Sequence, residues 1–96
     1  MNIKFREVGH RTVQARAIVE IAEDIFINEI TILKEDGEIV VELPQKSFKG
    51  KNGKIYKMDI ITFKDENKKT LWLHNIKIEY EKWRKNNPKV LIYENS

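Results

Sequence analysis

Residues 24–44 read Asp-Ile-Phe-Ile-Asn-Glu-Ile-Thr-Ile-Leu-Lys-Glu-Asp-Gly-Glu-Ile-Val-Val-Glu-Leu-Pro, and they decide the fold. The first ten are rich in β-branched residues and apolar at both parities. Such a strand sits centrally in a sheet or packs against a second layer. Asp36-Gly37 stands between it and Glu38-Ile39-Val40-Val41-Glu42-Leu43. An Asp-Gly pair between apolar runs signals a hairpin, because the turn needs positive φ. Pro44 has no N–H to give to a ladder and stops the second strand.

Towards the N-terminus, Lys4-Phe5-Arg6-Glu7-Val8 alternates and then pauses at Gly9-His10-Arg11. Val13, Ala15, Ala17, Val19 and Ile21 recur at every second residue, the period of a half-buried strand. Ile18 interrupts the polar face, which predicts partial cover there too. Towards the C-terminus, residues 45–54 read as a loop with Asn52-Gly53 as its tight turn, and a fifth strand runs from Ile55 to about Phe63.

Residues 65–86 change period. Trp72, Ile76, Glu79, Tyr80 and Trp83 fall on one face of a helix, with Leu71, Leu73 and Ile78 widening it. Asp65 is the expected N-cap, Glu66 suits the first turn, and Lys82, Arg84 and Lys85 suit the last. Asn86-Asn87-Pro88 ends the helix. The tail, with Lys89-Val90-Leu91-Ile92-Tyr93, is apolar enough to add an edge strand or clasp a partner.

The expected architecture is α+β: a five-stranded, largely antiparallel meander sheet followed by one long C-terminal helix. One helix covers one sheet face. The double-sided third strand and the broad helix face then call for a second buried surface, most simply a homodimer. Trp83, Tyr80, Ile30 and Ile32 are its expected seam. Trp72, Tyr80 and Trp83 are otherwise core residues.

The chain has 96 residues and no cysteine, which suits one domain and removes disulfides, thiolate metal sites and cysteine nucleophiles. No run approaches the length of a membrane span and no signal-peptide pattern is present, so the expected location is cytoplasmic. No Gly-rich phosphate loop, H-E-x-x-H or nucleophile elbow occurs, and Ser47 and Ser96 are the only serines. The carboxylate pairs Glu23/Asp24 and Asp59/Asp65 read as solvated turn residues. The expectation is therefore a non-enzyme with no cofactor. His10 and His74 lie far apart, and Ile78 stands where a second ligand after His74 would be, so no zinc site is expected.

The net charge of +3 hides a division. Residues 1–45 hold five Lys and Arg against nine acids, a net of −4; residues 46–96 hold thirteen against six, a net of +7. Such asymmetry points to a polyanionic partner for the basic half. Its alternative is a solvated lysine surface that touches nothing.

Arg16-Ala17-Ile18, then Phe26 to Leu33, then Gly37 to Lys46 together resemble the SpoVG family of septation regulators, also called stage V sporulation protein G. In that family an F-V-x-D-I-R-V-type strand leads through a Gly turn to a strand ending in M-P-S-K, matched here by Leu43-Pro44-Gln45-Lys46. A K-D-I-x-F-P-I-type strand is matched by residues 56–63, and an E-Y near the end of the closing helix by Glu79-Tyr80. The likeness covers roughly residues 3–85. It implies one SpoVG-like domain over residues 1–88 with a tail at 89–96. It also implies a small cytoplasmic dimer that binds DNA, and also RNA, in septation- and sporulation-type gene regulation. The chain departs from the pattern at Gln45, Ser47, Met58 and Thr62, in a loop about two residues longer between Lys46 and Lys54, and in the tail.

The expected contact residues are Lys46, Lys49, Lys51, Lys54 and Lys57, around the loop and the strand leaving it, with Lys64, Lys68 and Lys69 where that strand passes into the helix. If the sheet brings the helix start near the loop, all eight form one basic surface. Lysine is a point charge and suits phosphate better than base edges. Gln45, Asn52, Asn67 and Asn75 are the candidate base-contacting donors, with turn and capping roles open to Asn52 and Asn67. Phe48 either stacks on an unpaired base or anchors the loop. The rival reading is a protein-interaction module that uses the apolar helix face and the Val90–Tyr93 tail, with no membrane and no small-molecule substrate involved.

Overall fold

The computed structural model describes residues 2–88. The tail expected to add a strand or clasp a partner lies outside the described residues. Within them the chain is α+β, with antiparallel strands and one C-terminal helix. Strands β1 (Ile3–Glu7), β2 (Val13–Ala22), β3 (Ile25–Glu35) and β4 (Glu38–Glu42) form a four-stranded sheet in chain order. Strands β5 (Gln45–Lys49) and β6 (Ile55–Asp59) form a separate two-stranded sheet, and helix α1 spans Glu66–Asn86.

The five-strand expectation is corrected to six strands in two sheets among the described residues. The cause is the stretch after Pro44, expected as a loop, whose first five residues are strand β5. Its lysines gave a loop-like composition, but Phe48 and the alternation around it suffice for a paired ribbon. The following strand ends at Asp59 rather than near Phe63.

The hairpin at Asp36-Gly37 forms as expected, with φ of 49° and 81° at the two turn residues. The double-sided apolarity of β3 has a different outcome. Ala17 pairs with Ile30 and Val19 with Ile27, so β3 advances three residues while β2 advances two. The extra residue is a bulge at Asn28-Glu29, with Glu29 in the left-handed region at φ 63°. A bulge switches the parity of everything beyond it. Ile27, Ile30 and Ile32 therefore share one face, opposite Val19, Ala17 and Ala15. The helix on that one face then buries them, and no layer is needed on the opposite face.

That face is the core. Ala15, Ala17, Val19, Ile30, Ile32, Ile76 and Tyr80 form a single buried cluster, flanked by Ile3, Phe5, Ile39, Val41, Leu43, Trp72 and Trp83. Each large side chain removed from water contributes roughly 1.5–3 kcal/mol. Ile30, Ile32 and Tyr80 were expected to line a dimer seam. They are 0%, 0% and 3% exposed within one chain, and so are not available to a second copy.

Helix α1 starts where the carboxylate of Asp65 accepts from the Asn67 N–H at 2.8 Å. It ends where the Asn87 side chain donates to the Trp83 carbonyl at 2.8 Å. Its last turn is fastened by Arg84. The guanidinium donates to both Glu7 carboxylate oxygens at 2.7 and 2.9 Å, to the Tyr80 hydroxyl at 3.0 Å and to the Gln14 carbonyl at 3.2 Å. It also lies 4.8 Å from the centre of the Trp83 ring. The Glu7 hydrogen bond holds the Arg84 pKa above its ordinary value. The Gln14 carbonyl is free to accept because Gln14 is the extra residue of another bulge, between the pairs Val13–Leu33 and Ala15–Ile32.

Replacing Arg84 by Ala should lower stability by about 2 kcal/mol in urea denaturation, from the lost charged hydrogen bonds and ring packing. Arg84→Lys should restore less than half of that, since an ammonium cannot span both carboxylate oxygens. Glu29→Gly should raise stability by roughly 0.5 kcal/mol. Relief of about 1–2 kcal/mol of left-handed strain outweighs the added freedom of the unfolded chain.

Candidate nucleic-acid interface

Strands β5 and β6 leave the body as an arm in which all ten residues are exposed. The chain enters after Pro44, whose carbonyl accepts from the Ile60 N–H at 3.4 Å to close the base of the arm. At the same end the Gln45 amide donates to the Asp59 carboxylate at 2.6 Å. At the tip the Gly53 N–H donates to the Gly50 carbonyl at 3.0 Å and the Gly50 N–H to the Lys54 carbonyl at 2.8 Å. Asn52 caps this turn, accepting from the Lys54 N–H at 3.0 Å and donating to the Tyr56 hydroxyl at 2.8 Å. The expected turn at Asn52-Gly53 is thus present, now as the tip of a hairpin.

Register assigns the side chains to two faces. Lys46 opposes Met58 and Phe48 opposes Tyr56 on one face; Gln45 opposes Asp59, Ser47 opposes Lys57 and Lys49 opposes Ile55 on the other. The Phe48 and Tyr56 rings stack with centroids 5.6 Å apart and planes 24° apart. Phe48 thus packs on a cross-strand partner and remains 46% exposed, between the two roles expected for it. A lone two-stranded hairpin is marginal in water. The ring pair, the Asn52–Tyr56 bond and the closure at Pro44 are the contacts that hold this one.

The expected lysines fall into groups. Lys49 and Lys57 share the polar face of the arm, Lys46 lies on its aromatic face, and Lys51 and Lys54 flank the tip. Lys69 meets Gln45 and Asp59 around a cavity of about 220 Å³ at the base of the arm. Lys64 and Lys68 lie with Phe63, Asp65 and Glu66 around another cavity at the helix start. The helix N-terminus is already served by the Asp65 cap and by Glu66. Gln45 is engaged by Asp59, and Asn67 gives its N–H to the cap.

Sequence reading missed a second feature. Arg16 lies on the open face of the large sheet, flanked by the buried alanines at 15 and 17. With Thr31, Glu42, Ser47 and Lys57 it lines a cavity of about 270 Å³ between that face and the arm. A charged residue between two core alanines was a legible sign of an open face. Its neighbours from β3, β4 and the arm were not legible, because register alone brings them together.

His10 accepts the N–H groups of Thr12 and Val13 on its Nδ1 at 3.1 and 3.2 Å, a turn-capping role. Among the described residues no cluster of His, Asp or Glu is placed to hold a metal ion, and no helix is long and apolar enough to cross a membrane. No family model, curated protein or solved structure matches this chain.

A Cβ on Gly50 would stand 2.7 Å from the Tyr56 ring. Gly50→Ala should displace Tyr56 and break the ring stack. Amide exchange across β5 and β6 should accelerate at least roughly tenfold, while exchange in β2 and β3 stays unchanged.

Proposed function

We propose that this chain is a small regulatory protein that binds nucleic acid through the β5–β6 arm, the role implied by its SpoVG-like order of motifs. The reading rests on one observation. The arm carries five lysines, and its acid, Asp59, is tied to Gln45. Its stem exposes Phe48, Ile55, Tyr56 and Met58, with Ile60 exposed just beyond. A solvated lysine surface explains the charges but not the apolar side chains among them, which cost free energy in water. A two-stranded ribbon fits a duplex major groove about 12 Å wide, and lysines flanking it reach phosphates on either side. Exposed rings suit unpaired bases equally well.

A role in septation- or sporulation-type gene regulation belongs to the same proposal, as does a homodimer. Of the seam first expected, only Trp83 lies outside the buried cluster, and it packs on Phe5 with ring centroids 5.5 Å apart. The dimer is assigned instead to exposed apolar positions such as Ile21, Ile25 and Phe26 at the end of the β2–β3 hairpin.

Lys49→Glu, Lys51→Glu and Lys54→Glu combined should weaken binding of a fluorescent oligonucleotide at least roughly tenfold at moderate salt. The log–log salt slope should shrink from about −3 or −4 to near −1. The thermal midpoint should move by less than about 2 °C, since exposed charges add little stability. Unchanged affinity in this variant would remove the arm from the site.

A further inference from the structure

The open face of the four-stranded sheet carries two choices of side chain that cost free energy and that the core does not require. Arg6 and Arg16 are direct cross-strand partners, and like charges placed opposite each other destabilise a sheet. One strand further on, Glu29 holds a left-handed backbone at φ 63°, where glycine is the ordinary choice. Both features border the same trough. One part is a cavity of about 410 Å³ lined by Arg6, Arg16, Ile18, Asn28 and Glu29. The other is the cavity between sheet and arm, which shares Arg16 and Glu29 and adds Glu42, Ser47 and Lys57.

Among the described residues no ion pair joins the charges of this trough: the pairs present are Lys82–Glu79 and Arg84–Glu7. Arg16 is aimed by a hydrogen bond to the Thr31 hydroxyl. Thr31 in turn lies between Arg16 and Glu42 in the strand register. The result is a row of Arg6, Arg16, Thr31 and Glu42 across four strands, with Lys57 facing it from the arm.

A ligand that satisfies this row has an anion at one end and hydrogen-bond donors at the other. We infer that the trough receives one unpaired nucleotide of a single strand, its phosphate against Arg6 and Arg16 and its base amino group against Glu29 or Glu42. Arginine suits phosphate through its forked donors, and carboxylates accept from the N4 amino group of cytosine. A base stacked within a duplex cannot enter a concave site on a sheet face, so the occupant is single-stranded. Uracil and thymine present a carbonyl where cytosine presents its amino group, and two carboxylates repel it. This inference rests on the nucleic-acid reading of the arm and extends it from phosphate contact to base choice.

The test is fluorescence polarisation at pH 7.5 with oligodeoxycytidylate and oligothymidylate of about twelve nucleotides, a length within the range of single-strand sites. The unmodified protein should prefer the cytidylate by about tenfold. Glu29→Gly, which suits the local backbone, combined with Glu42→Ala should reduce that preference to about twofold or less. Arg16→Gln should weaken both oligonucleotides by about tenfold without changing their ratio. Thermal midpoints and circular dichroism confirm that each variant is folded. Cytidine monophosphate at millimolar concentration should fail to displace the oligonucleotide, because it lacks the contacts to the arm. Displacement by it would overturn the assignment to a strand. If both trough variants bind as the unmodified protein does while the triple arm variant loses binding, the trough inference fails and the arm reading stands. If no oligonucleotide binds, both fail.

Discussion

Everything in this fold depends on how well the side chains of one helix fit one sheet face. Ala15 and Ala17 present only methyl groups at the middle of β2, and both are fully buried. That lets α1 lower Ile76 and Tyr80 into the same cluster as Val19, Ile30 and Ile32. A larger side chain at either alanine would push the helix outward and open gaps that a chain of this size cannot fill elsewhere. The neighbouring aromatic contacts follow from that seat. Phe5 meets the edge of Tyr80 at 5.6 Å, and Trp72 meets Phe63 at 5.5 Å.

Close packing on one face needs an uninterrupted apolar stripe from β3, and simple alternation does not supply one. The bulge at Asn28-Glu29 does, by changing parity between Ile27 and Ile30. The same distortion leaves a carboxylate-bearing residue at an awkward backbone angle on the rim of the open face. Core formation and the chemistry of the open face are thereby coupled through one residue. The bulge at Gln14 acts similarly, since its carbonyl becomes an acceptor for Arg84 and ties the last turn of the helix to β2.

The arm obeys other physics. It buries almost nothing and survives on a few local bonds and one ring stack. A body held by its core and an arm held by its own turn are expected to differ in local stability. That difference suits a role in which the body supplies a fixed platform and the arm adapts to a partner.

How much of this was legible in the sequence depends on the range of the interaction. The Asp36-Gly37 turn, the Asp65 cap and the helical stripe around Ile76 and Tyr80 are local signals that appear where the sequence places them. The alternation expected over residues 13–21 holds for Ala15, Ala17 and Val19 but ends before Ile21, which is 50% exposed. The chain alone therefore determined α+β architecture, antiparallel pairing and a terminal helix. It also determined that the basic residues gather after Pro44. Register was beyond its reach, because pairing is chosen by the whole sheet and a single inserted residue reverses which side chains face inward. Only the tertiary structure decided that Ile30, Ile32 and Tyr80 belong to the core rather than to a dimer seam. It alone turned residues 45–59 into an arm and placed Arg16 beside Arg6 and Lys57. The physical reason is common to all three: local sequence sets what each segment can become, and the competition to bury apolar surface sets which partner it meets.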